Sequence, residues 1–444
     1  MNKSRRQPST SRHSRAEQMP KEAQILFWPK LRWKKLQEKN FLHHVAHAAQ
    51  TDFYRRRIAP RKIRSLADLE LLPLTDKSDL ARAGDAMLGC PTAEIREWVT
   101  TSGVTGKPLR VPLTQGDLQR LAVNEAAALY AAGLRAGDVL IIAVAMDRMF
   151  VAGLAYWLGA QRLGAACVRA GPQYAVHPEL FNSLPMPQAR RFVITAPSLL
   201  SAALPASGPG AYREIHTIIC IAEPIRGANL LLNALARRIV QHIPVPILST
   251  YASTETCATF AEGPLCRGGH LNPALAVVEI LDSRGRPVAP GNAGEVVVTP
   301  LGVQGMPLVR FRTGDIAALY TERCPCGRTT PRLGPILGRQ QQLLKVRGVS
   351  LFPAAVFDML ADLPEVRDFV LSARRAHDLS EHLTLHVHLE KDEPHIRERL
   401  KQRARALLKV LPELIFCDAA QVKSIQSQSS SRKPVRFIDL RGKN

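Results

Sequence analysis

The sequence contains no uninterrupted apolar run of about 18 residues, so we expect no membrane-spanning helix. It has only 8 cysteines in 444 residues, too few for a disulfide-stapled scaffold, and this favours a reducing, cytoplasmic environment. Residues 1–24 lack the apolar core of a secretory signal, and we expect them to form a basic, disordered tail. No internal repeat is visible.

Acidic residues are scarce: 38 Asp and Glu stand against 60 Lys and Arg, a formal net charge of +22. Residues 1–66 hold 17 basic and 4 acidic side chains, a net charge of +13, whereas residues 67–338 hold 24 and 21. Residues 339–444 hold 19 and 13. Nucleic-acid-binding proteins usually carry their charge on the working face, so this distribution argues against nucleic acid as the partner. An acidic protein is the partner to test for the N-terminal excess.

The hydrophobic share of 46% and the charged share of 22% are those of a globular protein rather than a disordered one. Residues 25–66 have helical spacing of apolar side chains. Beyond them, continuous apolar runs suited to buried strands alternate with helical patterns, at 139–144, 191–195 and 215–221. This alternation predicts βαβ units and a parallel sheet that is buried on both faces.

The pattern changes near residue 275. Two alternating segments joined by a Gly/Pro turn predict antiparallel strands at 277–281 and 294–299. After residue 338 the pattern predicts a smaller α+β unit with strands at 369–372, 383–389 and near 414, and a helix over 394–410. The Gln/Ser tract at 421–431 has the composition of a loop. We therefore predict an α/β protein with a tail at 1–24, a large domain at 25–338 and a small domain at 339–444.

A turn rich in Gly, Ser, Thr and Lys follows a predicted strand at 101–108. Glycine allows backbone N–H groups to approach a ligand, hydroxyls donate hydrogen bonds and Lys107 supplies a positive charge, so the turn could wrap a polyphosphate. It does not have the spacing of a P-loop. Considered alone, such a turn is also typical of a plain surface loop.

This ambiguity is resolved when the turn is considered together with five later segments. In chain order, the six segments are 101–108, 222–224, 251–255, 311–315, 338–348 and 432–439. Together they resemble the motifs of the adenylate-forming enzymes, most closely the phenylacetate–CoA ligase branch. The resemblance runs from about residue 50 to residue 441. It implies a large N-terminal ATP- and carboxylate-binding domain with parallel sheets and a small, mobile α+β C-terminal domain.

The resemblance also implies an activity. A carboxylic acid, favoured to be aromatic, would react with ATP to give acyl-AMP, and coenzyme A would then take up the acyl group as a thioester. The implied phosphate ligands are Thr101, Ser102, Gly103, Thr105, Gly106 and Lys107. The implied adenine and nucleotide contacts are Ala222, Glu223, Pro224, Tyr251, Ser253 and Thr254.

Four charged residues carry the remaining implied roles. Glu255 would hold Mg²⁺ through a hard oxygen ligand, and Asp315 would accept the ribose hydroxyls. Lys433, on the small domain, would bridge the substrate carboxylate and the α-phosphate. The small domain would rotate about the segment near Arg339 between the two steps.

The chain departs from the family pattern at four positions. Val104 replaces a hydroxyl residue of the phosphate loop, and Ile221 replaces the glycine before the 222–224 element. Gln341 and Gln342 replace the acidic pair of the hinge motif, which removes the usual hinge charges. None of these changes removes a group that adenylation needs.

Two other functions stay open. The acceptor of the acyl group could be the phosphopantetheine thiol of an acidic acyl carrier protein, for which the basic N-terminal region would be a dock. Alternatively, the chain could be a non-catalytic binding protein whose basic tail contacts nucleic acid. Retention of Glu255, Asp315 and Lys433 argues against the second alternative.

A separate constellation suits a metal. Cys324 and Cys326 are one residue apart, and Cys266 and His270 lie upstream, which makes four soft ligands for a closed tetrahedral Zn²⁺ site. Branch members often carry cysteines here, but this chain has Gly263 where the first upstream cysteine is expected, so either Cys266 or Cys257 would have to substitute. Reduced, metal-free cysteines are the alternative.

Overall fold

The computed structural model describes residues 19–58, 62–101, 108–175, 178, 188–204, 210–346, 349–375, 381–427 and 435–441. None of the helices formed by these residues is both long and apolar enough to cross a membrane.

The N-terminal region is helical, as its apolar spacing predicts. Its helices are α1 (Lys21–Gln24), α2 (Lys30–Ala48) and α3 (Asp52–Ile58), with a 3₁₀ turn between the first two. Helix α2 buries Trp33 and Phe41 against the body of the protein and leaves Lys35 and Lys39 exposed. The helical region ends at Ile58 in the described chain, earlier than residue 66, and a 3₁₀ helix follows at Leu66–Leu71.

A large mixed sheet forms the body, and its first half is parallel, as predicted. The parallel strands lie in the order β4, β3, β5, β6, β7 and have these bounds: β3 (Val139–Ile142), β4 (Ala166–Val168), β5 (Arg191–Thr195), β6 (Ile215–Cys220) and β7 (Ile247–Ser253). The helices of this region are α5 (Gln115–Ala131), α6 (Val151–Leu163), α7 (Pro197–Ala203) and α8 (Ala234–His242). Every residue of β3 and β5 is buried, because helices cover both faces of the sheet.

The second half of the sheet is antiparallel and continues from β7. Its strands lie in the order β8, β9, β13, β12, β11, β10, with β14 also paired to β12. Their bounds are β8 (Ala258–Ala261), β9 (Gly269–Leu271), β10 (Ala276–Leu281), β11 (Ala293–Pro300), β12 (Phe311–Tyr320), β13 (Arg332–Leu333) and β14 (Gly338–Arg339). The predicted antiparallel pair at 277–281 and 294–299 is confirmed by the pairing of β10 with β11.

Two smaller elements lie beside this sheet. Strands β1 (Ile95–Thr100) and β2 (Arg110–Thr114) form an antiparallel pair. Helix α4 (Lys77–Ala83) begins after Thr75, which bridges to Phe311 of β12. The bridge fixes the start of α4 against the central strand of the antiparallel half.

The chain after β14 forms a second, four-stranded sheet in the order β19, β18, β17, β20, preceded by a two-stranded pair of β15 and β16. The strands are β15 (Leu344–Val346), β16 (Val349–Leu351), β17 (Val366–Arg375), β18 (Glu381–Leu389), β19 (Glu413–Phe416) and β20 (Phe437–Asp439). The helices are α9 (Pro353–Ala361), α10 (Pro394–Leu408) and α11 (Ala419–Gln426). Apolar side chains of these elements form their own core, separate from the clusters of the large sheet.

The loop predicted at 421–431 is wrong over its first part, because Gln421 to Gln426 belong to α11. Asp418 caps this helix by accepting a hydrogen bond from the amide of Gln421, and Val422 is fully buried. The cap and the single buried apolar residue offset the polar composition, which had indicated a loop. Residues 428–431 lie outside the described chain.

The two sheets are joined by polar contacts between α8 and α9. The Ala234 amide donates to Asp358 Oδ1 over 2.8 Å at the start of α8. The Arg237 guanidinium donates to Asp362 Oδ1 over 2.6 Å, and Asp362 also accepts from Arg403 of α10. These contacts hold the small sheet against one end of the large one.

Candidate functional site

The predicted phosphate loop begins at the end of the β1–β2 pair. The Thr101 amide donates to the Leu109 carbonyl, and the Leu109 amide donates to Thr101 Oγ1, each over 3.0 Å. These two hydrogen bonds close the neck of the turn. Ser102, Gly103, Val104, Thr105, Gly106 and Lys107 lie outside the described residues.

Glu255 follows the carboxyl end of β7 and is almost fully buried. Its Oε1 lies 2.9 Å from Lys77 Nζ, and no other hydrogen-bond donor among the described residues is aligned with this oxygen. The Glu255 side chain is 4% exposed and that of Lys77 is 40% exposed, so the cation approaches from the solvent side. A buried carboxylate beside an accessible, replaceable cation is chemically suited to hold a metal ion, which can in turn bind a polyphosphate.

Asp315 lies on β12 between two partners from distant parts of the chain. The Tyr251 hydroxyl donates to Asp315 Oδ2 over 2.8 Å, and Arg339 Nε lies 3.4 Å from Oδ1. Asp315 and Arg339 are also backbone partners in the β12–β14 pair. The carboxylate is therefore held in place by a phenol and a guanidinium.

Burial raises the pKa of Asp315, while the charge of Arg339 and the hydrogen bond from Tyr251 lower it. Lys77 also lowers this pKa and Glu255 raises it, so the three side chains lie within electrostatic range of one another. Burial likewise raises the pKa of Tyr251, which keeps its hydroxyl protonated and able to donate. Sequence segments separated by more than 200 residues thus converge on one charged region.

The 222–224 segment follows the carboxyl end of β6, which is the neighbour of β7, so both loops lie at one edge of the parallel strands. Ala222 has a φ of +65°, in the left-handed region. Glu223 does not point freely into the cleft, because its two oxygens accept from the amide and the hydroxyl of Ser198 at the start of α7. Ser198 therefore fixes the loop that contains Ala222 and Pro224, and sequence analysis did not identify this residue.

Ser253 and Thr254 form the turn between β7 and Glu255. Ser253 Oγ lies 2.9 Å from Thr256 Oγ1, and the Cys257 amide donates to the Ser253 carbonyl. The Thr254 carbonyl accepts from Cys257 Sγ over 3.2 Å. These bonds hold the turn in the shape that aims Glu255 towards Lys77.

Three further residues were singled out from the sequence: Lys433, Gln341 and Gln342. Lys433 is outside the described residues, and the structure resumes at Val435, shortly before β20. Gln341 and Gln342 form a 3₁₀ turn with Gln340 directly after β14, at the junction of the two sheets. This turn consists of three glutamines and therefore has no charged side chain of its own.

The cysteines and histidine proposed for a metal come together in the structure. One ligand atom from each of Cys266, His270, Cys324 and Cys326 lies within 4.8 Å of those of the other three. Cys266 Sγ and Cys324 Sγ are 3.8 Å apart, and Cys326 Sγ is 3.3 Å from His270 Nε2. A tetrahedral Zn²⁺ with Zn–S bonds of about 2.3 Å separates its sulfur ligands by about 3.8 Å, so the spacing fits this ion.

The protonation of His270 also fits a metal. Its Nδ1 lies 2.9 Å from the Thr330 carbonyl, which can only accept, so Nδ1 carries the proton and Nε2 presents a lone pair to the cluster. A hydrogen bond from Cys266 lowers the pKa of Cys326, whereas donation to Cys326 and burial raise the pKa of Cys266. One sulfur is therefore already prepared to act as a thiolate ligand.

Cys266 rather than Cys257 joins the cluster. Cys257 is buried elsewhere, with its thiol directed to the Thr254 carbonyl. A Cβ atom on Gly263 would lie 2.6 Å from the Ala131 carbonyl oxygen, so the position expected for a cysteine has no room for a side chain. Arg328 Nη1 donates to Cys266 Sγ over 3.2 Å, and this partner was not predicted from the sequence.

Lys77 is a third residue, after Ser198 and Arg328, that sequence analysis did not assign to the site. It lies in the 72–77 segment, whose similarity to the family pattern is weak, and nothing in its neighbours indicates a contact with Glu255. The Arg312 amide donates to the Thr75 carbonyl over 2.8 Å, and this contact carries the start of α4 to the site. The ion pair between Lys77 and Glu255 is visible only when these distant segments are seen together in the structure.

Comparison with known proteins agrees with this geometry. Residues 94–304 match the family model described as AMP-binding enzyme. The chain is 29% identical over 382 residues to a phenylacetate-coenzyme A ligase of Thermus thermophilus, an alignment that covers 83% of this chain and 84% of that protein. It is 27% identical over 342 residues to the phenylacetate-coenzyme A ligase of Escherichia coli, covering 72% and 74%.

Among solved structures, 2-hydroxyisobutyryl-CoA ligase in the postadenylation state with R3-HIB-AMP has a TM-score of 0.79 at 21% identity, covering 94% of this chain and 91% of that one. The same ligase in the thioesterification state with 2-HIB-AMP and CoA has a TM-score of 0.64. The arrangement of the two sheets here is thus more similar to the first. The family match over residues 94–304, the sequence relatives and the fold agree with one another, and together they support an adenylate-forming enzyme similar to the phenylacetate–CoA ligase branch.

Proposed function

We propose that this protein is an AMP-forming acyl-CoA synthetase that activates a carboxylic acid, with an aromatic acid as the preferred class. The observation that carries the proposal is the convergence of Glu255, Lys77 and Asp315, with Tyr251 and Arg339, at the edge where β6 and β7 end. A buried carboxylate at Glu255 and a half-buried one at Asp315, each with an exchangeable cation, match the needs of a nucleotide that brings Mg²⁺ with its polyphosphate at one end and a ribose diol at the other.

The proposed reaction has two steps. In the first, a carboxylate oxygen attacks the α-phosphorus of ATP, and the bond from that phosphorus to the oxygen bridging to the β-phosphate breaks, so that pyrophosphate leaves. In the second, the thiol of coenzyme A attacks the acyl carbon and loses its proton. The bond from that carbon to the AMP oxygen breaks, and AMP leaves. Both steps depend mainly on positioning and on neutralising charge.

The roles of the site residues are part of this proposal. Asp315 accepts the ribose hydroxyls, and Tyr251 with Ala222 and Pro224 borders the adenine. Glu223 acts through Ser198 by fixing that loop. Thr101, the 102–107 loop, Ser253 and Thr254 surround the phosphates. Mg²⁺ held by Glu255 would neutralise charge on the polyphosphate. Lys433 stabilises charge on the α-phosphate from the small domain.

The division of labour between the domains is proposed in the same way. Residues 25–338 bind ATP and the acid, and residues 339–444 form the mobile domain that brings Lys433. The polar α8–α9 contacts involve exposed or half-buried side chains rather than a large apolar surface, which is consistent with a separable interface.

We further propose that Cys266, His270, Cys324 and Cys326 hold one structural Zn²⁺. The 3.8 Å sulfur separation and the fixed tautomer of His270 support this assignment. A closed site with four protein ligands leaves no position for substrate, so the ion would stabilise the fold rather than take part in the reaction. All eight cysteines are unpaired in the structure, which supports a cytoplasmic location.

The test is pyrophosphate release from ATP across a panel of aromatic and fatty acids, with Lys433→Ala compared with wild type. The variant is expected to lose adenylation by at least about 100-fold, because charge on the α-phosphate is then unbalanced. Exposed Lys391, on a turn after β18, provides the matched control as Lys391→Ala. Normal activity of Lys433→Ala would show that this lysine is misassigned.

The acceptor is tested separately, with coenzyme A and with a phosphopantetheinylated acyl carrier protein. Thioester is expected on coenzyme A. Product on the carrier protein alone would replace the proposed second step with transfer to that carrier. Absence of pyrophosphate release with every acid, together with salt-sensitive binding of nucleic acid, would instead favour the non-catalytic alternative.

A further inference from the structure

Arg441 is the last residue of the chain that the structure describes, and its guanidinium joins three separate segments. It donates to the carbonyls of Gln341 and Leu343 over 2.5 and 2.7 Å, to Glu381 Oε1 over 2.7 Å and to Asp439 Oδ2 over 2.6 Å. Its Nε also donates to Asp439 Oδ1 over 2.8 Å. All five N–H groups of an arginine can donate in one plane, which makes it the residue suited to such a junction.

This side chain is well shielded although it lies near the end of the chain: it is 13% exposed, as is typical of a fixed structural contact rather than a surface ion pair. The two carboxylates, with Asp439 contributing more, raise its pKa, and Arg441 in turn lowers the pKa of Asp439. Glu381 is also engaged on its other oxygen, which accepts from the Lys345 amide over 2.5 Å. The junction therefore includes the backbone on both sides of Leu343.

The location of the junction gives it a mechanical consequence. On one side of the hinge, β14 is paired to β12 of the large sheet, and the Leu337 amide donates to the Ile316 carbonyl. On the other side, Leu344 is fully buried in the core of the small domain. Apart from the contacts of Arg441, a side-chain hydrogen bond holds the start of the 340–343 turn to the large sheet, where Arg312 of β12 donates to Gln340 Oε1 over 3.4 Å.

We propose that Arg441 is a positioning residue that fastens the hinge turn to the small domain, so that rotation is confined to the backbone between Arg339 and Gln341. Its contacts with the carbonyls of Gln341 and Leu343 attach the turn to β18 through Glu381 and to β20 through Asp439. Gln340 lies between the two attachments, and its side chain accepts from Arg312 of the large sheet over 3.4 Å. The inference rests on the proposed function, because a defined pivot has value only if the small domain rotates between two steps.

A confined pivot matters for Lys433 as well. Lys433 lies four residues before Phe437, the first residue of β20, and Arg441 holds the other end of this strand to the turn. A loose turn would let the small domain take up many orientations, of which few would present the lysine correctly. Effective catalysis by a positioned group falls steeply when its geometry is not held. This chain has Gln341 and Gln342 in place of charged hinge residues, so a backbone clamp supplies the order that those side chains do not.

Two measurements on full-length protein test the proposal. The first is hydrogen exchange of the backbone amides in the 340–346 segment. Arg441→Ala is expected to increase the exchange rate of this segment at least about tenfold, because the turn loses its attachment. The matched control is Arg374→Ala, which removes an exposed arginine of β17 with no hydrogen bond or ion pair to the described residues.

The second measurement is steady-state pyrophosphate release. In Arg441→Ala, kcat is expected to fall about 10- to 50-fold while KM for ATP changes less than about twofold, because the proposed ATP ligands outside the hinge are unaltered. Arg441→Lys, which keeps the charge but cannot donate to all four partners, is expected to recover part of the loss. Arg374→Ala should match wild type in both measurements.

The outcomes separate the proposals. Wild-type exchange at 340–346 in Arg441→Ala, or a loss of activity that appears only in KM, would overturn the role of Arg441. Faster exchange in a protein whose wild type releases no pyrophosphate would support the clamp and reject the proposed function. If Arg441→Ala does not fold, Glu381→Gln gives the same test, with faster exchange at 340–346 expected and unchanged exchange contradicting the clamp.

Discussion

The candidate nucleotide site and the cysteine–histidine cluster lie in the same mixed sheet but are stabilised in opposite ways. At the candidate nucleotide site, Glu255 is buried and Asp315 is half-buried, while the Lys77 and Arg339 side chains that neutralise them are 40% and 34% exposed. At the cluster, His270 is fixed by a buried backbone carbonyl and Cys266 by the buried Arg328. At the first site, a metal ion or the hydroxyl donors of a ligand can take the place of the cations, whereas the second site is closed around whatever it binds.

The difference indicates that the first site is built for ligand binding and the second for a contribution to the free energy of folding. A carboxylate whose partner can move away contributes little to stability but can bind a ligand that brings its own charge. Four soft ligands whose side chains are fixed by buried hydrogen-bond partners contribute to the free energy of folding when they bind an ion. Substitutions at the first site should therefore change activity, and substitutions at the second should change stability.

The largest effect is expected for Glu255→Gln. This change keeps the shape of the side chain but removes the charge that faces Lys77 and would hold Mg²⁺. We expect adenylation to fall about 1,000-fold, or about 4 kcal/mol in the activation barrier, with little change in the free energy of unfolding. Pyrophosphate release at increasing Mg²⁺ concentration measures the loss.

Glu94→Gln, at an exposed glutamate of a short 3₁₀ turn, is the matched control and should behave as wild type. Full activity of Glu255→Gln at saturating Mg²⁺ would contradict the expectation that substitutions at the candidate nucleotide site change activity.

The second effect concerns the cluster. We expect about one zinc per chain by elemental analysis, and Cys326→Ser should lose the metal and lower the free energy of unfolding by about 4 kcal/mol. The reason is that three remaining ligands leave the tetrahedral site open. Chemical denaturation with and without a chelator measures this effect.

Cys417→Ser, a half-buried cysteine distant in sequence from the cluster, should retain zinc and stability. Absence of zinc after native purification, together with a Cys324→Ser variant as stable as wild type, would show that the cysteines are simply reduced side chains.

A third prediction uses a buried acid that belongs to neither site. Glu125 of α5 is fully buried without a cation, and burial raises its pKa from 4.5 to about 7. An acid whose pKa is higher in the folded state stabilises that state most at low pH and loses this contribution as pH rises from about 4.5 through about 7. The unfolding free energy of wild type should lose about 3 kcal/mol across that interval for this reason.

Glu125→Gln removes the titration, so its stability relative to wild type should increase between pH 5 and pH 8. Urea unfolding of the two proteins at several pH values measures the difference, in which contributions from all other groups cancel. A stability difference that stays constant across this range would show that the pKa of Glu125 is the same in the folded and unfolded states. Burial without a cation would then not distinguish Glu125 from Glu255, which has Lys77 as its partner.

The smallest effect is expected for Lys77→Met, which keeps the apolar stem of the side chain. Glu255 loses the cation at its Oε1, and Asp315 loses a charge that lowers its pKa. We expect kcat/KM for ATP to fall about tenfold, or about 1.4 kcal/mol. Lys62→Met, at an exposed lysine before the Leu66–Leu71 turn, is the control. A Lys77→Met enzyme with unchanged kinetics would limit this lysine to a resting ion pair.

Much of the fold follows from local patterns. The continuous apolar runs at 139–144, 191–195 and 215–221 become β3, β5 and β6, because a strand covered on both faces needs apolar residues throughout. The turn at 283–287 gives the antiparallel β10–β11 pair for an equally local reason. The helix at Ala419–Gln426 was missed, since its composition is polar and its stability comes from one cap and one buried side chain.

The site was predictable only in part. The positions of Tyr251, Glu255 and Asp315 follow from the family resemblance, but their contacts do not. Ser198 and Arg328 have no motif around them and could not have been selected from the sequence. Each meets its partner only after strands from different parts of the chain become neighbours.

The sequence by itself determined the alternation of strands and helices, the order of the adenylate-forming motifs and the supply of four soft ligands. Those features depend on residue type and spacing along the chain. Tertiary structure decided that Lys77 faces Glu255, that Cys266 rather than Cys257 joins the cluster and that Arg441 donates to the carbonyl of Gln341. These pairings join residues up to 178 positions apart in the sequence, and only the packing of whole elements brings such side chains within bonding distance.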